Sequence, residues 1–197
     1  MENRFEERYR SGDLPWDHGM VDANLIETID RAGIKPCRVL DIGCGTGDNA
    51  VWLAGQGFDV VACDLSETAI ELAREKIDAA GAGCSFLVAD FLADEIPEAP
   101  FGFVVDRGCL HCMQEQGQRA GFVEKVAGLL EEGGCWLSLV GNADEPGREV
   151  GPPRLTATEL VAAAEPFFEI QSLETGHFGS DQADPPRAWI CLMKKRA

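Results

Sequence analysis

Three glycines at alternate positions follow a short apolar run near residue 40, with an acidic side chain just before them. In the stretch VLDIGCGTGD, Asp41 precedes Gly43, Cys44, Gly45 and Gly47. Glycines in a turn let a backbone come close to a ligand. Their spacing departs from the G-x-G-x-x-G pattern of dinucleotide sites, which bind a pyrophosphate at a helix N-terminus. A carboxylate about 4 Å from a phosphate would cost roughly 4 kcal/mol at an effective dielectric of about 20, so Asp41 favours a cationic ligand.

S-adenosylmethionine meets this requirement, because it carries a sulfonium and an ammonium and has no phosphate. Asp41 would attract its cationic end, while the glycines would let the chain approach its adenosine and methionine parts. Asp64 closes the next apolar run, 17 positions after Gly47 (64 − 47 = 17). That is near the offset of about 20 residues at which an acidic side chain binds ribose hydroxyls. Asp90 closes a third run and is placed to accept a hydrogen bond from the adenine amino group.

Alternating strands and helices are predicted to position these residues. The predicted strands are the apolar runs 37–42, 59–64, 85–90, 101–106 and 135–140. The predicted helices between them cover 48–56, 66–81 and 118–130. This alternation is typical of a doubly wound α/β sheet, in which ligands bind beyond the carboxyl ends of the strands. We therefore expect the four carboxylates near these strand ends to face one crevice, namely Asp41, Asp64, Asp90 and Asp106.

The chain changes character after residue 140. Thr156 and Glu159 have the spacing of a capping box, which predicts a helix that Pro166 ends. The runs FFEIQSLE and RAWICLMKK follow and lie close enough to pair as an antiparallel edge of the sheet.

Length, charge and cysteine content limit the classes of function. The chain has 197 residues, with 34 acidic and 17 basic side chains and a formal net charge of −17. This charge either merely aids solubility or disfavours nucleic acid and anionic membranes, which bind basic patches. We expect a small-molecule partner, and the oligomeric state stays open. The charged start MENRFEERYR is unlike a secretory signal and no run reaches the ~18 apolar residues of a membrane span, so we expect a cytoplasmic protein with reduced thiols.

Four stretches in sequence order resemble one family. VLDIGCGTGDNAVWLA, VVACDLSETAIELA, FLVADF and LLEEGG are similar to the motifs of class I S-adenosylmethionine-dependent methyltransferases, over roughly residues 36–140. The resemblance implies a Rossmann-like, mostly parallel sheet of seven strands with an antiparallel last strand and helices on both faces. It also implies S-adenosylmethionine as cofactor and S-adenosylhomocysteine as product. The cofactor-binding residues that it implies are Asp41 and Gly43 near the methionine part, Cys44, Gly45 and Gly47 in the turn, Asp64 on the ribose, Leu65 beside the adenine, and Asp90 and Phe91 at the adenine edge.

Two shorter segments resemble the thiopurine, thiol and halide methyltransferases. RYRSGDLPWDHG is similar to their proline-tryptophan-aspartate segment, which implies a lid in which Trp16 packs near the cofactor. VVDRGCLHCM is similar to the segment after their fourth strand and implies Arg107 beside the cofactor. The CLHC stretch departs from that pattern and leaves the acceptor open among thiols, halides and metalloids. One domain is then expected, with residues 1–35 as a lid, 36–140 as the cofactor-binding core and 141–197 as the substrate-side loop, helix and antiparallel edge.

Methyl transfer is an in-line displacement that depends mainly on alignment of the reacting groups. A thiolate or halide acceptor needs little or no base, whereas a hydroxyl or a protonated amine needs one. Asp106 and His111 are the candidate general bases, because the loop after the fourth strand faces the same crevice. The alternatives are that Asp106 caps the next turn and that His111 is a structural histidine. Cys109 and Cys112 give with His111 only three potential ligands, short of a closed zinc site, so no resident metal is predicted.

We therefore predict a methyltransferase that acts on a small-molecule acceptor. Two alternatives remain open at this point. One is a nicotinamide-dependent oxidoreductase on a Rossmann sheet. The other is a non-catalytic protein that binds the cofactor, or a metalloid through CLHC.

Overall fold

Strands and helices alternate through most of the chain, as the sequence predicts. The computed structural model describes residues 4–146 and 151–197, so residues 1–3 of the predicted lid and 147–150 of the predicted C-terminal region lie outside the described residues. The strands are β1 (Arg38–Ile42), β2 (Asp59–Asp64), β3 (Ser85–Val88), β4 (Phe101–Arg107), β5 (Leu130–Asn142), β6 (Arg154–Leu155), β7 (Phe168–His177) and β8 (Arg187–Lys195). The helices are α1 (Arg4–Ser11), α2 (Ala23–Ala32), α3 (Asp48–Gly55), α4 (Glu67–Ala80), α5 (Gln116–Leu129) and α6 (Ala157–Ala164), and a 3₁₀ turn (Leu110–Cys112) follows β4.

All of these strands belong to one sheet. Their order is β3-β2-β1-β4-β5-β8-β7, and the two-residue β6 pairs with β5 beside this path. Strands β1 to β5 run parallel to one another. Strand β8 runs antiparallel to both β5 and β7. This topology confirms the predicted fold class, with β6 as an addition to the seven expected strands.

The sheet is buried on both faces, which explains why its central strands are apolar at almost every position. Successive side chains of a strand point to opposite faces. In β1, Leu40 and Ile42 pack in the core that includes side chains of α5 and α6. Val39 points to the opposite face and packs in the core that includes side chains of α2, α3 and α4. A strand with helices on both sides has no face available for polar residues.

Local capping signals set the ends of two helices. Ser66 Oγ accepts a hydrogen bond from the backbone N–H of Ala69 at the start of α4, and Gly81 ends that helix with φ +67°. Thr156 and Glu159 form the predicted reciprocal capping box of α6. Such side-chain caps contribute about 1 kcal/mol each.

Two N-terminal helices, α1 and α2, were not predicted, and β5 begins at Leu130 rather than at Cys135. The sequence of α1, RFEERYRS, is mostly charged, and Phe5 and Tyr9 are its two apolar residues. Tertiary contacts hold this helix, because Tyr9 is buried and Glu6 accepts a hydrogen bond from the hydroxyl of Thr68 in α4 at 2.7 Å. Within the part of the chain that the structure describes, no helix is both long and apolar enough to cross a bilayer.

Candidate active site

A cavity of about 910 Å³ opens at the carboxyl ends of the parallel strands. The segments that follow β1, β2, β3 and β4 line it, together with the N-terminal segment and the loop between β7 and β8. Strands β2 and β3 lie on one side of β1 and strands β4, β5 and β8 on the other. The cavity therefore has two halves, which we call the β2–β3 half and the β5–β8 half.

The glycine turn after β1 forms the wall between these halves. Gly43, Cys44 and Gly45 line the cavity. Gly45 has φ +55°, and a Cβ atom there would lie 2.9 Å from Tyr9 Oη. Gly47 packs against α4 instead, with φ +85°, and a Cβ atom there would lie 2.9 Å from a side chain of that helix. Both glycines are thus required by backbone conformation and by a close neighbour.

Gly43 has a close neighbour of its own, Cys109, in the turn after β4. A Cβ atom at Gly43, where φ is +66°, would overlap the Sγ atom of Cys109. The thiol also contacts the carbonyl oxygen of Ile42 at 3.3 Å. The turn after β4 is therefore packed directly on the glycine turn.

Asp64 presents a carboxylate to the β2–β3 half from the end of β2. Its Oδ2 accepts a hydrogen bond from the backbone N–H of Gly45, and its Oδ1 accepts one from Ser66, both at 2.9 Å. Burial raises the pKa of Asp64, and these backbone N–H groups oppose that rise because they stabilise the ionised form. The carboxylate is thus held rigidly with unused lone pairs.

Three further predicted residues line the β2–β3 half. Leu65 exposes 44% of its surface there, an unusual fraction for a large apolar side chain. Phe91 is 8% exposed and packs on Phe122 at a ring-centroid distance of 4.8 Å. The Oδ1 atom of Asp90 accepts a hydrogen bond from the backbone N–H of Leu92 at 2.9 Å. The structure therefore brings Asp64, an apolar surface and a second carboxylate together.

Asp41 lies in the sheet behind the cavity-lining residues and exposes 1% of its surface. Its Oδ2 has no hydrogen-bond partner among residues 4–146 and 151–197. Burial, with the nearby carboxylates of Asp64 and Asp106, raises the pKa of Asp41 to about 7. The expectation that four carboxylates face one crevice is therefore wrong for Asp41 and Asp106, and Asp41 can act on a cation through the electric field.

Asp106 is fully buried, at 0% exposure. Its Oδ1 accepts hydrogen bonds from the backbone N–H groups of Cys109 and Leu110 at 2.9 and 3.0 Å, and its Oδ2 accepts one from the Ser138 hydroxyl. Burial raises its pKa to about 6, although these bonds favour the ionised form. The structure contradicts the prediction of a general base, because this carboxylate has no contact with the cavity and caps the turn after β4.

His111 does line the cavity, but its ring is set as a hydrogen-bond donor. The backbone N–H of Gly141 donates to His111 Nδ1 at 2.9 Å. A neutral imidazole that accepts at Nδ1 carries its hydrogen on Nε2. Burial, with a smaller effect of the Arg107 charge, lowers the pKa of His111 to about 3. The structure therefore contradicts the prediction of His111 as a general base near neutral pH.

Arg107 connects three separate segments at the end of β4. Its Nε donates at 2.6 Å to Oδ2 of Asp22, and Asp22 is the N-cap residue of α2. Its Nη1 and Nη2 donate to the carbonyl oxygens of Trp16 at 3.2 Å and Gly179 at 2.7 Å. The guanidinium carbon also lies 5.3 Å from the centre of the Phe178 ring. One side chain thus fixes the N-terminal segment and the β7–β8 loop around the cavity.

Trp16 lines the cavity from the N-terminal segment. Its Nε1 donates to Tyr9 Oη at 3.2 Å. Its ring meets the rings of Phe5 and Tyr9 edge to face, each at a centroid distance of 5.9 Å. This aromatic group lies next to Gly45, since Tyr9 Oη faces the glycine turn.

All eight cysteines are free thiols, and Cys109 and Cys112 line the cavity. Burial raises the pKa of Cys112 to about 11, so this thiol is protonated at neutral pH. Protonated thiols are poor nucleophiles and pack as small apolar groups. Among the residues that the structure describes, no three His, Cys, Asp or Glu side chains are grouped to hold a metal ion.

One polar contact beside the cavity was missed by the sequence analysis. His18 Nδ1 lies 2.7 Å from Oδ1 of Asp181 in the β7–β8 loop. The two residues are 163 positions apart. No periodicity or spacing relates them, so only the P-W-D-H context of His18 could have drawn attention to it.

Comparison with known proteins relates this geometry to one family. A family model described as a methyltransferase domain matches residues 39–134. The probable thiol methyltransferase 2 of Arabidopsis thaliana is 31% identical over 151 residues, which are 76% of this chain and 65% of that protein. The chain therefore spans slightly less than two thirds of the length of this relative.

Solved structures share the whole fold. A structure described as "Conversion of a Disulfide Bond into a Thioacetal Group during Echinomycin Biosynthesis" has a TM-score of 0.84 at 27% identity and covers 99% of this chain and 93% of that one. The 1,6-didemethyltoxoflavin-N1-methyltransferase of Burkholderia thailandensis, solved with S-adenosylhomocysteine bound, has a TM-score of 0.80 at 22% identity, covers 98% of this chain and 86% of that one, and shows likeness of fold. The chain belongs to the class I S-adenosylmethionine-dependent methyltransferases.

Proposed function

We propose that this chain transfers the methyl group of S-adenosylmethionine to a small-molecule acceptor, and that the acceptor is a thiol. The main support for S-adenosylmethionine as the donor is the Asp64 carboxylate, which accepts hydrogen bonds from the backbone N–H groups of Gly45 and Ser66 at 2.9 Å. A carboxylate has about four lone-pair sites, so capacity remains for a hydroxyl of a ribose. An acidic residue that binds ribose occurs in nicotinamide sites as well, so the argument against a dinucleotide comes from Asp41 and from a glycine spacing that departs from the pyrophosphate-binding pattern.

The surroundings of Asp64 fit the rest of this donor. Leu65 and Phe91 offer apolar surface for a flat base, and Asp90 offers an acceptor for its amino group. The turn at Gly45 provides a backbone without side chains for close approach. Behind it, Asp41 has an unsatisfied Oδ2 that a sulfonium or an ammonium would stabilise in its ionised form.

When bound, S-adenosylmethionine supplies a methyl group on a positively charged sulfur. The chain's own residues bind, orient and shield the reacting groups, and alignment of this kind can provide most of the acceleration. Arg107 holds the backbones of Trp16 and Gly179 together beside the cavity. His111 offers its Nε2–H to an acceptor that has lone pairs.

A thiol acceptor is supported by the lining of the β5–β8 half and by a relative. Met113, Phe178 and Cys109 give this half apolar and sulfur-containing surface. Apolar and polarizable surface suits a soft nucleophile better than a strongly hydrated one. The Arabidopsis relative is named a probable thiol methyltransferase. Halides and metalloids are the competing outcomes of an acceptor panel.

The experiment has two stages. Thermal shift and calorimetry with S-adenosylmethionine, S-adenosylhomocysteine and NAD should show stabilisation by the first two ligands alone. Transfer of a labelled methyl group is then measured with thiols, iodide, arsenite and phenols, and a thiol should have the highest kcat/KM. Stabilisation by NAD would favour the oxidoreductase, and donor binding without transfer to any acceptor would favour a non-catalytic binder.

We further propose that the chain is a single methyltransferase domain, with residues 1–35 as its lid, 36–140 as its cofactor-binding core and 141–197 as its substrate side. The continuous sheet from β3 to β7 supports a single domain. We also propose that it works in the cytoplasm without nucleic acid, which the eight free thiols and the net charge of −17 support. Fluorescence microscopy of the tagged protein and a gel-shift assay test the two statements.

A further inference from the structure

Two histidines line the cavity, and their ring nitrogens are set in opposite ways. His111 accepts at Nδ1 from the N–H of Gly141, so its Nε2 is a donor. His18 Nδ1 lies 2.7 Å from a carboxylate oxygen of Asp181. A carboxylate only accepts, so neutral His18 carries its hydrogen on Nδ1 and has a lone pair on Nε2. Among the described residues, no group hydrogen-bonds that Nε2.

His18 contacts the loop that borders the β5–β8 half of the cavity. It follows Trp16 in the segment that Arg107 binds, and Asp181 follows Gly179, which Arg107 also binds. The guanidinium therefore holds the two segments that carry the pair. Their neighbours on the cavity wall include Phe178, which belongs to the β5–β8 half.

Burial differs sharply across the pair. The His18 side chain is 10% exposed, whereas that of Asp181 is 68% exposed. A contact with one solvated partner contributes little to stability, as exposed ion pairs contribute only about 0–1 kcal/mol. The contact between His18 and Asp181 therefore adds little to the stability of the two segments that it joins. As a device that sets the tautomer it is effective, because a carboxylate at Nδ1 orients the imidazole and leaves the lone pair on Nε2.

We propose that His18, oriented by Asp181, is the general base that takes the proton of the acceptor thiol. The proposal rests on the proposed function. Nε2 of His18 takes the hydrogen of the S–H group, and the electron pair of that bond stays on the acceptor sulfur. The acceptor sulfur then bonds to the methyl carbon as the bond from that carbon to the sulfonium breaks, and its electron pair neutralises the donor sulfur. His18 returns the proton to solvent.

The test compares two acceptors that differ in whether a proton must leave. An alkanethiol is protonated at neutral pH, whereas 2-nitro-5-thiobenzoate is already a thiolate. His18→Gln should lower kcat/KM for the alkanethiol by about 100-fold or more, as expected for loss of a general base, and leave kcat/KM for the thiolate within about threefold. Asp181→Asn should show the same selectivity with a smaller loss, of about tenfold, since it weakens only the orientation. His177→Gln is the matched control, because His177 is exposed at the end of β7.

The outcomes separate the two claims. If His18→Gln lowers kcat/KM equally for both acceptors, the pair has only a structural role. If kcat/KM falls for neither acceptor, His18 is excluded from catalysis. A wild-type protein that uses the thiolate but not the alkanethiol also overturns the inference. Calorimetry with S-adenosylmethionine is run on every variant, and failure of the wild type to bind it would overturn the proposed function itself.

Discussion

Arg107 and Asp22 form an ion pair that is largely withdrawn from water, with Nε and Oδ2 2.6 Å apart and the Asp22 side chain fully buried. The same Oδ2 accepts from the backbone N–H of Gly179 at 2.8 Å, while Oδ1 accepts from Asn24 at 3.0 Å. The pair joins β4, the start of α2 and the β7–β8 loop. A buried carboxylate that loses its charge partner is costly, so this contact should be central to stability.

Arg107→Met should therefore lower the free energy of unfolding by about 3–5 kcal/mol, because it leaves Asp22 buried without a cation. Arg38→Met is the control, since Arg38 and Asp59 form a pair on the surface that should contribute at most about 1 kcal/mol. Urea unfolding measures both. Equal losses in the two variants would show that Asp22 is adequately held by its backbone partners.

Asp64→Ala should weaken binding of S-adenosylmethionine by at least about tenfold without unfolding the protein, because hydrogen bonds to a charged acceptor contribute about 1.5–3 kcal/mol each. Asp59→Ala, at the other end of the same strand, should leave affinity unchanged. Calorimetry gives the affinities, and circular dichroism checks the fold. Wild-type affinity in Asp64→Ala would remove this residue from the site.

Gly45→Val should abolish donor binding, because the position has φ +55° and its Cβ would face Tyr9 Oη at 2.9 Å. Gly57→Val isolates the backbone effect, since Gly57 has φ +87° and nothing within 4 Å of the added atom. Both variants should lose about 1–2 kcal/mol of stability from the left-handed conformation. Thermal shift with the donor should fail to stabilise only the Gly45 variant. A normal response from that variant would show that the donor does not approach this turn.

Asp41 should make the ligand-free protein less stable as pH rises from about 4 to about 7. The folded carboxyl has its pKa raised to about 7, whereas the unfolded one ionises near 3.9. Between these values the folded state holds the extra proton, so stability falls with pH, by roughly 4 kcal/mol in all, and is then constant. Asp41→Asn removes this fall. Urea unfolding of both proteins is measured from about pH 5 to about pH 8. The difference between their free energies of unfolding should widen up to about pH 7. A difference that does not change with pH would contradict a buried carboxyl without a partner.

The sheet and the position of the cavity were predictable because their signals are local. Apolar runs, the Ser66 cap and the Thr156 capping box each depend on a few neighbouring residues. The charged helix α1 was missed, because contacts with α4 far along the chain hold it.

The roles of Asp106 and His111 could not be predicted from their positions after β4. Each role depends on which polar group lies opposite the side chain, and those groups, Ser138 and Gly141, belong to β5. The end of a predicted strand indicates where a residue lies in the sheet. It does not indicate whether neighbouring residues separate its side chain from the cavity. The tautomer of His18 could not be predicted either, because it depends on Asp181, which is 163 positions away.

The contact between Gly43 and Cys109 limits how the proposed acceptor specificity of this chain can be redesigned. The thiol occupies the space that any side chain at position 43 would require. A bulkier residue at position 109 would in turn press on the glycine turn that we propose to approach the donor. The two positions therefore form a single unit of variation, and mutational libraries aimed at new acceptors should hold both constant or change them together.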